Sequence, residues 1–129
     1  MATKYNKVMI IDDNDFDIYL TSNMLTKNNI SSEVIEFNSS ILGLEYLTSH
    51  KNNLNELPQL IFLDIYMPRM TGFEFIDKLK DLGNTIASNC KICIVSSSVE
   101  DFNLNKSKID EGNIIFTSKP ITKEFINSL

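Results

Sequence analysis

Residues 60–64 read LIFLD, four apolar residues followed directly by an aspartate. Three further apolar runs also lead within a few positions to a polar residue: VMII to Asp12, ICIV to Ser96 and IIF to Lys119. Short, continuous runs rich in β-branched residues are typical of strands in a sheet that is covered on both faces. The pattern therefore predicts a buried parallel sheet, to which the weaker run at residues 33–37 adds a fifth strand.

The stretches between these strands show the spacing of apolar residues that is typical of helices. Apolar residues recur every three or four positions in the four clearest stretches, residues 16–24, 41–47, 75–79 and 121–129. Asn14 or Asp15 can cap the first helix. Residues 100–109 show the same periodicity more weakly. Strands and helices that alternate five times predict an α/β fold, a doubly wound parallel sheet with helices on both faces.

Size and charge exclude several functions. The 129 residues fit one ordinary domain, and we assign residues 1–129 to it. The net charge is −5 and Arg69 is the single arginine, which argues against direct binding of nucleic acid. No apolar stretch approaches the roughly 20 residues of a membrane span, and the N-terminus does not resemble a signal peptide. We therefore expect no membrane insertion and a cytoplasmic location, which the two cysteines also favour.

The polar residues that follow the strands are the candidate functional residues. Asp12 and Asp13 follow the first strand, Asp64 the third, Ser96 the fourth and Lys119 the fifth. In an open α/β sheet, ligands bind outside the carboxyl ends of the strands, where the strand order reverses. One aspartate in such a place is most often a helix cap or an ordinary loop residue. Acids, a hydroxyl and a lysine on four separate strands are better explained by a common site.

This set of side chains suits phosphoryl transfer to a carboxylate. Carboxylates that lie close together repel one another, and they offer the oxygen ligands that a hard cation such as Mg²⁺ prefers. The lysine would supply positive charge to the phosphoryl oxygens, and the hydroxyl would donate a hydrogen bond to them. An aspartate can itself be the nucleophile and form an acyl phosphate.

Four motifs carry a resemblance to a known family. They are Asp12-Asp13, the nine residues DIYMPRMTG that begin at Asp64, the pair Ser96-Ser97 after Val95, and Lys119-Pro120. In this combination the chain resembles the receiver domain of bacterial two-component response regulators, from Val8 to Leu129. The pattern D-x-x-M-P-x-M-x-G is specific. The resemblance implies a flavodoxin-like fold with strand order 2-1-3-4-5.

The resemblance also implies a role for each residue of the site. Asp64 would accept a phosphoryl group from a histidine kinase or a histidine phosphotransfer protein. Asp13 would bind Mg²⁺ directly and Asp12 through water, and Asp64 and the backbone carbonyl of Tyr66 would be further ligands. Lys119 would pair with Asp64 and then with the phosphoryl group.

Two more residues would form the switch that responds to phosphorylation. Ser96 would be the hydroxyl that moves toward the phosphoryl group, at a position where the family commonly has threonine. Phe116, three residues before Lys119, would be the aromatic residue that changes rotamer. The bond between Lys119 and Pro120 is typically cis in the family.

We therefore predict a phosphoacceptor signalling domain of a two-component system or phosphorelay, rather than an enzyme with a separate substrate. Because the sequence ends in the last helix, we expect no output domain, and the signal would pass to an unidentified downstream protein. The alternative is a receiver-fold binding module that works without phosphorylation. The complete set of acids, hydroxyl and lysine argues against this alternative.

Two enzyme or cofactor classes fit the same fold less well. A phosphatase of the haloacid dehalogenase type would need an acid two residues after the nucleophile, where this chain has Tyr66. A flavin-binding domain would need a phosphate-cradling loop after the first strand. The carboxylates at that place would repel a flavin phosphate; they belong to Asp12, Asp13, Asp15 and Asp17.

Further expectations concern the cysteines, the histidine and two residues that flank the site. Cys90 and Cys93 match C-x-x-C, but residues three apart in a strand point to opposite faces, so we expect two unpaired cysteines. His50 is expected on a solvated surface. Tyr66 and Ser98 lie two residues past the acceptor and the switch hydroxyl, positions that control loss of the phosphoryl group in the family. From these two side chains we predict that the phosphoryl group is lost slowly.

Overall fold

The structure is a computed structural model of the chain, and it describes residues 3–97 and 113–129. The strands of the described part are β1 (Tyr5–Ile11), β2 (Ser31–Phe37), β3 (Leu60–Asp64), β4 (Lys91–Ser96) and β5 (Ile114–Ser118). Its helices are α1 (Asp15–Lys27), α2 (Ser40–Ser49), α3 (Gly72–Asp81), α4 (Asn84–Asn89) and α5 (Lys123–Ser128). Within the described residues, strands and helices alternate as predicted from β1 to β3 and after β5, whereas two helices precede β4.

The five described strands form one parallel sheet in the order β2-β1-β3-β4-β5, which confirms the predicted fold class. Because β1 lies between β2 and β3, the strand order reverses there and leaves a crevice at the carboxyl ends of β1 and β3. Ile11 pairs with Leu63, and Asp64 pairs with Val95. The residues that follow β1, β3 and β4 therefore leave the sheet at almost the same level.

Side chains of β1 alternate between two cores, one on each face of the sheet. Met9 and Ile11 pack with residues of α2 and α3, whereas Val8 and Ile10 pack with residues of α1 and α5. All four are at most 2% exposed. Each such side chain contributes about 1.5–3 kcal/mol relative to an exposed position. Burial on both faces explains why the strand is a continuous apolar run.

The two cysteines lie in opposite cores, and both are unpaired, as predicted: Cys90 is on the α2 and α3 side and Cys93 is on the α1 and α5 side. Burial raises the pKa of Cys90 to about 11 and that of Cys93 to about 12, which keeps both groups as thiols. His50 is only partly exposed and does not lie on the fully solvated surface that we predict. Its Nδ1 lies 2.7 Å from the carbonyl oxygen of Tyr46, and its ring stacks on the Tyr46 ring at the end of α2.

The buried face of α1 differs from the apolar stripe that predicts this helix. Phe16 and Leu20, which belong to that stripe, are 66% and 37% exposed. The buried residues of α1 are instead Ile18, Thr21 and Leu25, which are spaced by three and four positions. The helix therefore has two stripes of residues. Because α1 packs against β1, β2 and α5, the stripe of Ile18, Thr21 and Leu25 is the one that is buried.

Helix α4 is not evident from the sequence, because its six residues bury one side chain, Ile86, and no periodicity can develop. It follows Gly83, whose φ of 114° favours glycine. The weakly predicted helix at residues 100–109 and the flanking residue Ser98 lie outside the described residues. Among the helices that the structure describes, none has the length and apolar character needed to cross a bilayer.

Candidate functional site

Three carboxylates meet at the carboxyl ends of β1 and β3. Ligand oxygens of Asp12, Asp13 and Asp64 all lie within 4.8 Å of one another. Asp12 and Asp64 are buried, whereas Asp13 is exposed. The backbone N–H of Asn14 donates to Asp12 Oδ1 at 2.9 Å, which orients this carboxylate. Because the donors are all carboxylate oxygens, the residues present fit a hard divalent cation such as Mg²⁺.

Burial and repulsion both act on the carboxyl group of Asp64. Burial, followed by the charge of Asp12 and that of Asp13, raises its pKa to about 6. Lys119 and a hydrogen bond from the backbone N–H of Tyr66 act in the opposite direction without offsetting the increase. Burial likewise raises the pKa of Asp12. A cation among these carboxylates would therefore relieve an unfavourable interaction.

Lys119 supplies positive charge to the site. Its Nζ lies 2.9 Å from Asp17 Oδ2, 3.1 Å from Asp12 Oδ2 and 3.7 Å from Asp64 Oδ1. Burial alone would lower the pKa of this ammonium, but the three carboxylates outweigh burial and raise it. The ammonium therefore stays charged at neutral pH. It lies closer to Asp12 and Asp17 than to Asp64, the partner that the resemblance implies.

The backbone around Lys119 ties the ends of β4 and β5 together. The N–H of Lys119 donates to the carbonyl oxygen of Ser96 at 2.8 Å, and the bond between Lys119 and Pro120 is cis, as the resemblance implies. Ser96 is buried at the end of β4. Phe116, in β5, is partly buried against the core on the α2 and α3 side. Both residues of the expected switch therefore lie on the two strands beyond β3.

The loop between β3 and α3 passes very close to Asp64. The N–H of Gly72 donates to the carbonyl oxygen of Ile65 at 2.8 Å. A Cβ at position 72 would lie 2.7 Å from the carbonyl oxygen of Asp64, so this approach requires glycine. Met67 and Met70 are buried and anchor the loop in the core. The methionines and the glycine of the D-x-x-M-P-x-M-x-G pattern thus hold the loop against the acidic strand end.

Tyr66 and the start of α3 complete this loop. Tyr66 is 60% exposed, although its backbone N–H hydrogen-bonds the carboxylate of Asp64. The loop ends at Thr71, which caps α3. The N–H of Glu74 donates to Thr71 Oγ1 at 3.2 Å, and the N–H of Thr71 donates to Glu74 Oε1 at 3.1 Å. This capping box fixes where the helix begins and hence how long the loop is.

Asp17 belongs to the site but is not identified by the motifs. It is the third residue of α1, a helix that Asn14 caps by accepting from the N–H groups of Phe16 and Asp17 at 3.0 and 3.1 Å. Helical side chains point back toward the N-terminus, so this position aims at the rim where β1 ends. The signal in the sequence is an acid three residues after the cap of the first helix.

Comparison with known proteins identifies the family. Residues 8–128 match the response regulator receiver domain. The chain is 30% identical over 124 residues to the hybrid signal transduction histidine kinase L of Dictyostelium discoideum, and the match covers 95% of this chain but 7% of that kinase. It is 30% identical over 129 residues to the two-component response regulator ARR17 of Arabidopsis thaliana, with 95% of this chain and 80% of that protein covered.

A solved structure agrees with these sequence matches. The crystal structure of a two-component response regulator from Cytophaga hutchinsonii has a TM-score of 0.85 to this chain at 25% identity, and the match covers 97% of this chain and 93% of that one. The matched residues 8–128 contain the whole candidate site, from Asp12 to Lys119. Fold, site geometry and relatives therefore agree, and the chain belongs to the response regulator receiver domain family.

Proposed function

We propose that this receiver domain carries a phosphoryl group on Asp64 and thereby switches the binding of a partner protein. The observation that supports this most strongly is the meeting of Asp64 with two further acids and Lys119 in one crevice. Asp64 ends a central strand, and an anchored loop follows it. Its carboxylate therefore has a defined position from which it can act as a nucleophile.

Mg²⁺ is the cofactor that we propose, because it is typical of the family and the acids fit it. Asp13 would bind the ion directly and Asp12 through water, with Asp64 and the backbone carbonyl of Tyr66 as further ligands. When bound, Mg²⁺ supplies positive charge that balances the phosphoryl oxygens. The same charge would relieve the repulsion from Asp12 that, after burial, raises the pKa of Asp64.

Phosphoryl transfer forms one bond and breaks one. A carboxylate oxygen of Asp64 attacks the phosphorus, the bond from phosphorus to the donor's histidine nitrogen breaks, and its electron pair stays on that nitrogen. The ammonium of Lys119 and the hydroxyl of Ser96 then stabilise the phosphoryl oxygens. Ser96 moves toward the group, and Phe116 changes rotamer with it. We therefore propose a domain that promotes its own phosphorylation and dephosphorylation rather than an enzyme with a separate substrate.

The phosphoryl donor that we propose is a histidine kinase or a histidine phosphotransfer protein in the cytoplasm. One relative of the chain is a hybrid histidine kinase, which supports a donor of this class. The recipient of the signal is a protein, because a net charge of −5 and a single arginine disfavour direct binding to nucleic acid.

A small-molecule donor tests the proposal without the kinase. With acetyl phosphate and Mg²⁺, intact-mass spectrometry should show one phosphoryl group on the wild-type protein and none on Asp64→Asn. Asp77→Asn is the matched control, since Asp77 is an exposed aspartate of α3 and should label like the wild type. Equal labelling of Asp64→Asn, or labelling in the presence of a chelator, would contradict the proposed site. Absence of label on the wild type would favour the phosphorylation-independent binding module.

A further inference from the structure

Lys119 is shared among three carboxylates, and the proposed phosphoacceptor is the most distant of them. Its ammonium has three N–H donors. Asp17 and Asp12 lie within hydrogen-bond distance at 2.9 and 3.1 Å, whereas Asp64 Oδ1 at 3.7 Å lies beyond it. Before phosphorylation, the ammonium is therefore hydrogen-bonded to the start of α1 and the end of β1, whereas its ion pair with Asp64 is longer than a hydrogen bond.

Asp17 differs from the other partners of Lys119 because it stands outside the acid cluster. Among the described residues, the oxygens that could together hold one metal ion belong to Asp12, Asp13 and Asp64. The side chain of Asp17 is 32% exposed, against 9% for Asp12 and for Asp64. Asp17 therefore lies outside the carboxylates that could hold one ion, and its hydrogen-bond partner in the site is Lys119, although its charge also contributes, after burial, to the raised pKa of Asp12.

We propose that Asp17 is a positioning residue that holds the ammonium of Lys119 on α1 and so slows the phosphorylation of Asp64. The inference rests on the proposed function, because it requires that Asp64 take up a phosphoryl group. During transfer, the ammonium must balance charge on the phosphoryl oxygens beside Asp64. A carboxylate 2.9 Å from Nζ competes for the same ammonium. Loosening of the pair with Asp17 is thus part of the barrier to phosphorylation.

Replacing Asp17 by asparagine should accelerate phosphorylation. The amide keeps the size of the side chain and removes its charge, so the competing ion pair is lost. A partly exposed ion pair contributes up to about 1 kcal/mol, which corresponds to an increase of about fivefold in rate. Asp17→Ser, which also removes the carboxylate, should have the same effect. Asp17→Glu restores a carboxylate and should return the rate toward that of the wild type.

The experiment measures the initial rate at which acetyl phosphate and Mg²⁺ label the full chain, followed by intact-mass spectrometry. Asp15→Asn is the matched control, because Asp15 is exposed in the same turn of α1 and carries the same charge. Among the described residues, Lys119 forms its ion pairs with Asp12, Asp17 and Asp64 and not with Asp15. We expect Asp15→Asn to change the rate by less than about twofold.

A second background shows whether Asp17 acts through Lys119. In Lys119→Met, which lacks the ammonium, Asp17→Asn should change the slow labelling rate no more than Asp15→Asn does. A rate increase that persists in this background would mean that Asp17 repels the phosphoryl donor directly, and the inference would be overturned. A positioning role acting through Lys119 predicts that the effect disappears.

The outcomes separate this inference from the proposed function. If the wild type is labelled on Asp64 but Asp17→Asn and Asp17→Ser react no faster than Asp15→Asn, the inference alone is wrong. If the wild type takes no label, or Asp64→Asn is labelled equally, the proposed function fails and the inference fails with it. Thermal melting of each variant by circular dichroism confirms that the rates refer to folded protein.

Discussion

Without divalent metal, ionising Asp64 should destabilise the folded protein. Its pKa is raised from an ordinary value of 3.8 to about 6, mainly by burial and then by the charge of Asp12. Between these two values the folded protein holds a proton that the unfolded chain has already released. Stability therefore falls as the pH rises through this window. The stabilising effect of the proton is complete below the lower value and is lost above the higher one.

The magnitude follows from the two pKa values. Their difference corresponds to about 3 kcal/mol in total, of which about 2 kcal/mol falls between about pH 4.5 and about pH 7. Asp64→Asn cannot ionise, so the variant lacks this component at every pH. The raised pKa of Asp12 acts in the same direction in both proteins.

Urea unfolding in the presence of a chelator measures this effect. The free energy of unfolding of Asp64→Asn, relative to that of the wild type, should increase by about 2 kcal/mol from about pH 4.5 to about pH 7. Asp77→Asn, which removes an exposed charge from α3, should show no such increase. A difference between Asp64→Asn and the wild type that does not change with pH would refute the reasoning.

Three further predictions concern the metal, the loop and the lifetime of the acyl phosphate. Millimolar Mg²⁺ should raise the melting temperature by binding the native state, and Asp13→Ala should abolish the rise; a full response in the variant would place the metal elsewhere. Gly72→Ala should destabilise the protein by about 1–3 kcal/mol in urea unfolding, because its Cβ would lie 2.7 Å from the Asp64 carbonyl oxygen; an unchanged midpoint would contradict this. Tyr66→Asn should speed phosphate release several-fold after acetyl phosphate is removed, since one positioned hydrogen bond is worth about 1 kcal/mol; an unchanged rate would show that the ring does not shield the phosphoryl group.

The sheet can be predicted from the sequence because its central strands are buried on both faces. Val8 and Ile10 face one core while Met9 and Ile11 face the other, so every position of the run must be apolar. The candidate site follows from the same reasoning. Parallel strands end at one edge, and polar residues directly after them must lie close together.

The face of α1 and the role of Asp17 could not be predicted in the same way. Helical periodicity shows that a helix forms, but α1 has a second stripe that includes Thr21, and tertiary packing buries Ile18 and Leu25 of that stripe rather than Phe16. The pair between Asp17 and Lys119 joins residues 102 positions apart. Its formation depends on the rotation of α1 about its axis and on the path of the loop after β5. Neither can be read from local sequence patterns.

The most direct test of the central claim is to identify the side chain that carries the phosphoryl group. Borohydride reduces an aspartyl phosphate to homoserine, which peptide mass spectrometry can assign to one position in the chain. After treatment with acetyl phosphate and Mg²⁺, we predict homoserine in place of Asp64 and nowhere else. Homoserine in place of Asp12, Asp13 or Asp17, or a phosphoryl group on His50, would contradict the assignment of Asp64 as the phosphoacceptor.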